Sequence, residues 1–260
     1  ISSHLLWFGT YVMDLGGFTP FLYAFDDREQ VLDTLDHVTG SRLTYSYCRF
    51  GGVIQDIDSE FIGMARAFVS RLRSRWKDYH TLVTRNIIFI KRTKGVGVIT
   101  PELARQYGVT GPNLRACGIP FDVRKMEPYE VYDRFDFEIP VGSSGDAYDR
   151  YMVRIEEMEQ SCRIIEQALD QLPKGPFLAE KVPHRIKPPK GEVYFAFESA
   201  RGLTAYYLVS DGSQYPYRCH IRVPSLGNLH VIEDVFRNTL VADAISILGS
   251  IDLVIPEIDR

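Results

Sequence analysis

The chain has 260 residues, 45% of them hydrophobic and 25% charged, with a net charge of −4. That is enough chain for one large domain or two small ones with a real core. The mild acidity, with no basic stripe, argues against a nucleic-acid partner. Uncharged runs such as Leu5 to Met13 are far too short to cross a bilayer, and no segment has the layout of a secretory signal, so the expected compartment is the cytosol.

The sequence opens ISSHLLW, without Met and as if inside a helix. Either the N-terminus has been removed or the chain is a fragment of a longer subunit. Ser2 and Ser3 are possible N-caps for a first helix that is apolar on most sides through Leu5, Leu6, Phe8 and Val12. Such a helix belongs in a core or under a partner. Gly16, Gly17 and Pro20 interrupt it. A second helix carries Phe21, Phe25, Leu32, Leu35 and Val38, and Gly40 ends it. Residues 42–53, RLTYSYCRFGGV, read as a loop whose glycines let backbone come close to something. From Ser59 to Thr84 the pattern is helical again, and Arg66, Arg71, Arg73 and Arg75 on its polar face read as a solvated charge run.

Thr100 to Tyr107 predicts a short helix with Pro101 at its first position. A long Gly/Pro-rich section follows up to Asp146; its length points to function or a bound partner, and its aromatics argue against disorder. Asp146 to Leu172 is the clearest helix, with one stripe formed by Tyr148, Tyr151, Met152, Ile155, Met158, Cys162, Ile165 and Leu169, and with Arg154, Glu157 and Glu159 outside it. Pro173 and Gly175 stop it, and 176–191 is a Pro/Lys-rich connector. EVYFAFES and TAYYLVSDGS read as strands paired across ARGL, with YRCHIRV a third. A last helix is expected over Leu229 to Leu248, with Gly249 at its C′ position, and the apolar tail IDLVIPEIDR should pack into the body. The fold class is α+β, a mainly helical core with a small antiparallel sheet.

Little in the sequence advertises chemistry. Cys48, Cys117, Cys162 and Cys219 are scattered, which rules against a metal or iron–sulfur site held by this chain alone and reads as free, buried thiols. There is no phosphate loop, no GxSxG elbow and no HExxH. His4 reads as a capping or core residue and His220 as surface or interface. Asp14, in TYVMDLGGFTP, is the anomaly. It is either a local acid that caps or bonds the Gly16–Gly17 turn, or a buried carboxylate with a raised pKa that relays protons.

Several stretches together carry a resemblance: SHLLWFGTYVMDLGGFTPFLYAFDDRE, SRLTYSYCRFGGV, YGVTGPNLRACGIPFDVRK, PYEVYDRFDFEIPVGSSGDAYDRYMVRIEEMEQS, LVSDGSQYPYRCHIRVPSLGNL and LGSIDLVIPEIDR. In this order they resemble the quinone-site subunit family of respiratory NADH:quinone oxidoreductase, complex I (bacterial D-type, mitochondrial 49-kDa type), over residues 1–260, most weakly at 174–192. The resemblance implies a single domain related to the [NiFe] hydrogenase large subunit, with the family's N-terminal α/β part upstream of residue 1. It implies a peripheral subunit on the cytoplasmic side of the bacterial inner membrane. That subunit packs against a B-type subunit holding the terminal [4Fe–4S] cluster, a C-type subunit and the membrane quinone-channel subunit. Quinone is the substrate, NADH and FMN lie elsewhere in the complex, and quinone reduction drives ion pumping.

The same resemblance implies that Asp14 falls on the aspartate of the family's LD-G-TPF motif beside the quinone chamber, where it pairs with an upstream histidine. Thr10 and Leu6, one and two turns earlier, are expected chamber-lining residues. Thr44, Arg49, Gly51 and Gly52 are expected near the partner's cluster. Thr44 stands where the family pattern carries a histidine; a hydroxyl cannot titrate, so a nearly pH-independent, rather low cluster potential is expected, as suits a menaquinone user. After LDQLPKG the family has a further helix; here it is deleted or residues are missing from the sequence. The hydrogenase reading fails because GSIDLVIPEIDR has no cysteine to ligate nickel. The open alternatives are a ferredoxin- or F420-dependent relative and a scaffold without quinone chemistry.

Overall fold

The computed structural model describes residues 1–183 and 185–259; the parts of the connector and tail readings that rest on His184 and Arg260 lie outside them. Four helices build the larger core. Helix α1 (Ser2–Asp14) runs into α2 (Phe18–Thr39), and α3 (Ser59–Tyr79) and α8 (Ala147–Asp170) pack against them. Leu5, Phe8, Tyr11, Leu72, Tyr79, Tyr151 and Met158 are essentially without solvent contact. Burying each such side chain stabilises by about 1.5–3 kcal/mol relative to exposure. This is why α1 can be apolar on nearly every side. Ser2 and Ser3 do not cap it; they lie inside its first turn.

The arginines of α3 are not a solvated face. Arg71 and Arg75 pair with Asp26 and the fully buried Asp27 of α2, to which Tyr79 also donates. Arg73 forks onto Glu159 and Glu166 of α8. The charge run clamps α3 to both neighbours, because periodicity marks which residues share a face but not what faces them.

Between α3 and α8 the chain is mostly irregular, with short helices α4 (Ile87–Thr93), α5 (Pro101–Gln106), α6 (Pro112–Ala116) and α7 (Val123–Met126). Thr100 caps α5, and Pro101 takes its first position as the sequence predicts. Arg115 of α6, 1% exposed, holds this section together. It donates to Glu157 Oε1 at 2.7 Å, Glu198 Oε1 at 2.8 Å and Phe121 O at 2.9 Å. Glu157 also bonds His4 Nε2 at 3.1 Å, so His4 is a core residue. Burial alone would push the Glu157 carboxyl up; the Arg115 cation and His4 overturn that and hold it at about 2.

Strands β3 (Gly191–Ser199), β4 (Gly202–Ser210) and β5 (Arg218–Arg222) form an antiparallel sheet in that order, with β3 and β4 in register from Gly191↔Ser210 to Ser199↔Gly202. The fold is α+β, as expected. Two thiols, Cys117 and Cys162, are buried; Cys48 and Cys219 are exposed, on a hairpin and on edge strand β5.

The single C-terminal helix is broken. The chain forms α9 (Pro224–His230), α10 (Ile232–Val235), α11 (Ala244–Ile251) and α12 (Ile255–Ile258). Asn238 takes a left-handed turn (φ 60°) that stops any continuous helix. Gly249 is inside α11, not after it, and the left-handed cap is Asp252. A Cβ on Gly249 would sit 2.7 Å from the Tyr11 ring, so glycine is required there for close helix approach. No helix among the described residues is long and apolar enough to cross a membrane.

Candidate functional site

Where α1 meets the end of α11 there is a cleft of about 550 Å³. One wall is Trp7, Thr10 and Asp14 of α1. The other is Ile245, Leu248 and Gly249 of α11, followed by Asp252, Leu253 and Ile255. Thr10 and Asp14 thus share one cleft, as their spacing predicts. Leu6 is not among the lining residues; Trp7 takes its place. At about 100° per residue, eight positions before Asp14 is some 80° off its face, whereas seven is only some 20° off.

Asp14 itself departs from both local readings. It is exposed, not buried, and it caps nothing: α2 starts at Phe18, after an N-cap at Gly17 with no side-chain cap bond. It stands in the last turn of α1, where a carboxylate faces the negative end of the helix dipole, an arrangement disfavoured by about 0.3–1 kcal/mol. Its charge therefore does nothing for α1 and is free to meet what enters the cleft. The Thr10 hydroxyl turns back to Leu6 O at 3.0 Å.

Asp252 is the second carboxylate of the cleft, which the sequence reading missed. It is buried, with left-handed backbone (φ 61°, ψ 61°) rare for a non-glycine residue. Arg201 donates to its Oδ1 at 3.1 Å, while Oδ2 has no hydrogen-bond partner among the described residues. An orphaned buried acceptor at a cleft wall is a place for a ligand or water. The signal available in sequence was only an acid in an apolar tail, the same signal that singled out Asp14. Tyr11, behind the cleft, bonds Ser246 Oγ at 3.3 Å, and burial pushes its hydroxyl up to about 12, so it stays protonated. None of the lining residues is a cysteine, so the cleft offers no thiolate to a soft metal.

The second predicted cluster lies apart in sequence, on a hairpin of β1 (Cys48–Arg49) and β2 (Gly52–Val53). Thr44, Arg49 and Gly51 are exposed there, and Gly52 is half-buried. The close backbone approach expected at the glycines is real, but its partner is the chain's own connector. Ala179 N–H donates to Gly51 O at 2.9 Å and Val53 N–H to Phe177 O at 3.0 Å. A Cβ on Gly52 (φ 149°) would stand 2.1 Å from Phe177 O. Hairpin and connector together form an open apolar surface with Phe50 (73% exposed), Ile54, Leu178, Val182 and Tyr215 around Arg49 and Arg185. Elsewhere, His37, Asp58 and Glu60 hold ligand-type atoms close together, but Asp58 is accounted for as the N-cap of α3 and the partner of His37.

The family model for the 49 kDa subunit of respiratory-chain NADH dehydrogenase matches residues 14–186 and 180–260. The chain belongs to this family. The two matched stretches overlap at residues 180–186, inside the connector. The D-type subunit of NADH-quinone oxidoreductase from Syntrophobacter fumaroxidans is 81% identical over 260 residues, all of this chain and 70% of the relative. The D-type subunit from Desulfotalea psychrophila is 57% identical, again over all of this chain and 70% of its own length. One from Opitutus terrae, numbered 2 in that organism, is 50% identical over the whole chain and 65% of its own length.

Proposed function

We propose that this chain is the subunit of a respiratory NADH:quinone oxidoreductase that forms one wall of the quinone-reduction chamber. The observation that carries the reading is the exposed carboxylate of Asp14, without an ion pair among the described residues, in a largely apolar cleft of a chain whose relatives are named as D-type subunits of NADH-quinone oxidoreductase. Reduction of quinone to quinol takes two electrons and two protons. The electrons come from a [4Fe–4S] cluster in a neighbouring B-type subunit, fed by NADH through FMN elsewhere in the complex. The protons need a group that exchanges them near neutral pH, which is the role of a histidine on the adjoining part of the subunit. Asp14 orients and charges that histidine, and the apolar side of the cleft with Thr10 takes the quinone head group, of menaquinone type. The complex couples this reaction to ion translocation.

The open surface around Thr44, Arg49, Gly51 and Gly52 is the docking side for the cluster-bearing subunit, supported by its exposed aromatics. The C-type and membrane quinone-channel subunits complete the chamber, and the subunit sits peripherally on the cytoplasmic side of the inner membrane. Asp14→Asn in the assembled complex tests this reading. NADH:quinone activity or its pumping should fall by about tenfold or more, while assembly and NADH oxidation by ferricyanide stay intact. Normal quinone reduction and pumping in that variant would exclude the role.

A further inference from the structure

Two guanidinium groups lie behind the cleft without a counter-ion. Arg150 and Arg154, one turn apart on α8, are both fully buried. The other fully buried arginine, Arg115, and the half-buried Arg201 pair with carboxylates, but neither Arg150 nor Arg154 forms an ion pair among the described residues. An unpaired buried cation is expensive, and burial pulls Arg154 down to about 10 against the opposing charges of Asp252 and Glu157. Such a group persists only where something specific needs it.

Their donors go to the end of α11. Arg154 Nη1 donates to Ser250 O at 2.8 Å, and its Nη2 to Ile251 O and Asn113 Oδ1, both at 3.0 Å. Arg150 Nε donates to Ser250 Oγ at 2.9 Å. Ser250 and Ile251 are the last residues of α11, where free carbonyls and the helix dipole present negative charge. The same Arg154 guanidinium lies over the Trp7 ring, 4.5 Å from its centre. Trp7 in turn donates its indole N–H to Gly249 O at 2.6 Å. One side chain therefore touches both walls of the cleft from behind.

We infer that Arg154 is a positioning residue of the cleft: by fixing Trp7 against the end of α11 it sets the width of the cleft and so selects among quinone head groups. This rests on the reading of the cleft as part of the quinone chamber. Lysine cannot replace it, because an ammonium radiates its donors from a point and cannot lie on the indole while forking to two carbonyls.

The test is Arg154→Lys in the full complex, with NADH and a pair of short-chain quinones, one benzoquinone and one naphthoquinone. Discrimination between the two, as a ratio of kcat/KM, should collapse by about tenfold, chiefly through KM, with the ferricyanide rate unchanged. Unchanged discrimination, while Asp14→Asn still lowers quinone reduction, overturns this inference and leaves the function standing. Normal quinone reduction in Asp14→Asn overturns the function itself. Should Arg154→Lys not assemble, Trp7→Phe carries the test, since it keeps an aromatic ring under the guanidinium but removes the N–H to Gly249 together with part of the ring that braces the cleft wall. The same loss of discrimination supports the inference, and wild-type discrimination in Trp7→Phe refutes it.

Discussion

Replacing Arg115 by Met would remove the cation that three buried carboxylates share. Glu157, Glu198 and Asp122 lie 2.7, 2.8 and 3.6 Å from its guanidinium, and Arg124 and His4 are the remaining positive partners of the group. Breaking a buried pair in this way costs about 3–5 kcal/mol, a large share of the stability of a typical domain. The pH dependence is more telling. Folded, Glu157 stays ionised down to about pH 2; unfolded, it protonates near 4.5. Between those values the unfolded chain binds more protons, so the contribution is complete above pH 4.5 and is lost as pH falls towards 2. A lowering of that size corresponds to about 3 kcal/mol. Without Arg115, burial dominates, the carboxyl moves up, and this acid-side loss shrinks. Urea melts of the 260-residue chain at pH 7, 5 and 3, followed by far-UV circular dichroism, should show a deficit of about 3–5 kcal/mol at pH 7 that narrows towards pH 3. A deficit under about 1 kcal/mol at pH 7, the size of a surface pair, or a deficit constant with pH, would refute the reasoning.

Gly52→Ala should strain the hairpin and drive a methyl into Phe177 O, at about 1–3 kcal/mol; faster proteolysis within 174–190 is the readout, and an unchanged cleavage rate would count against the seam. Asp58→Ala removes the N-cap of α3, whose side chain accepts the Phe61 N–H at 2.8 Å, and should lower stability by about 1 kcal/mol in a urea melt. Thr44→His in the full complex should turn a nearly flat cluster potential into one that falls by up to about 59 mV per pH unit near neutrality. A redox titration giving a steep slope in the unsubstituted complex would contradict the role given to Thr44.

The long helices were legible because each carries a continuous apolar stripe, as in Tyr151, Ile155, Met158 and Cys162 of α8. The hairpin of β3 and β4 was equally plain from its residue types and the turn between them. What periodicity could not supply was the identity of buried polar groups. Glu157 and Arg154 look like surface residues beside that stripe, yet both are buried, because their partners come from α1, α6 and α11, far away in sequence. The same blindness hid the docking of the α3 arginines on Asp26 and Asp27. At the cleft, helical spacing puts Thr10 on the face of Asp14, and the cleft is lined by Trp7 and not by Leu6; Asp252 escaped because it stands at a left-handed cap that no local pattern announces.

The indole of Trp7 and the carbonyl it meets on Gly249 are separated by 242 positions in the chain. The bundle of α1, α2, α3 and α8 can assemble before α11 exists, but the cleft cannot, since one of its walls is made last. Closing so long a span is entropically costly and kinetically slow. A chain that stopped before residue 244 would lack one wall of the cleft and would leave the buried Arg150 and Arg154 of α8 without their acceptors on α11, so the cleft and the burial of those two cations are completed by the same late segment.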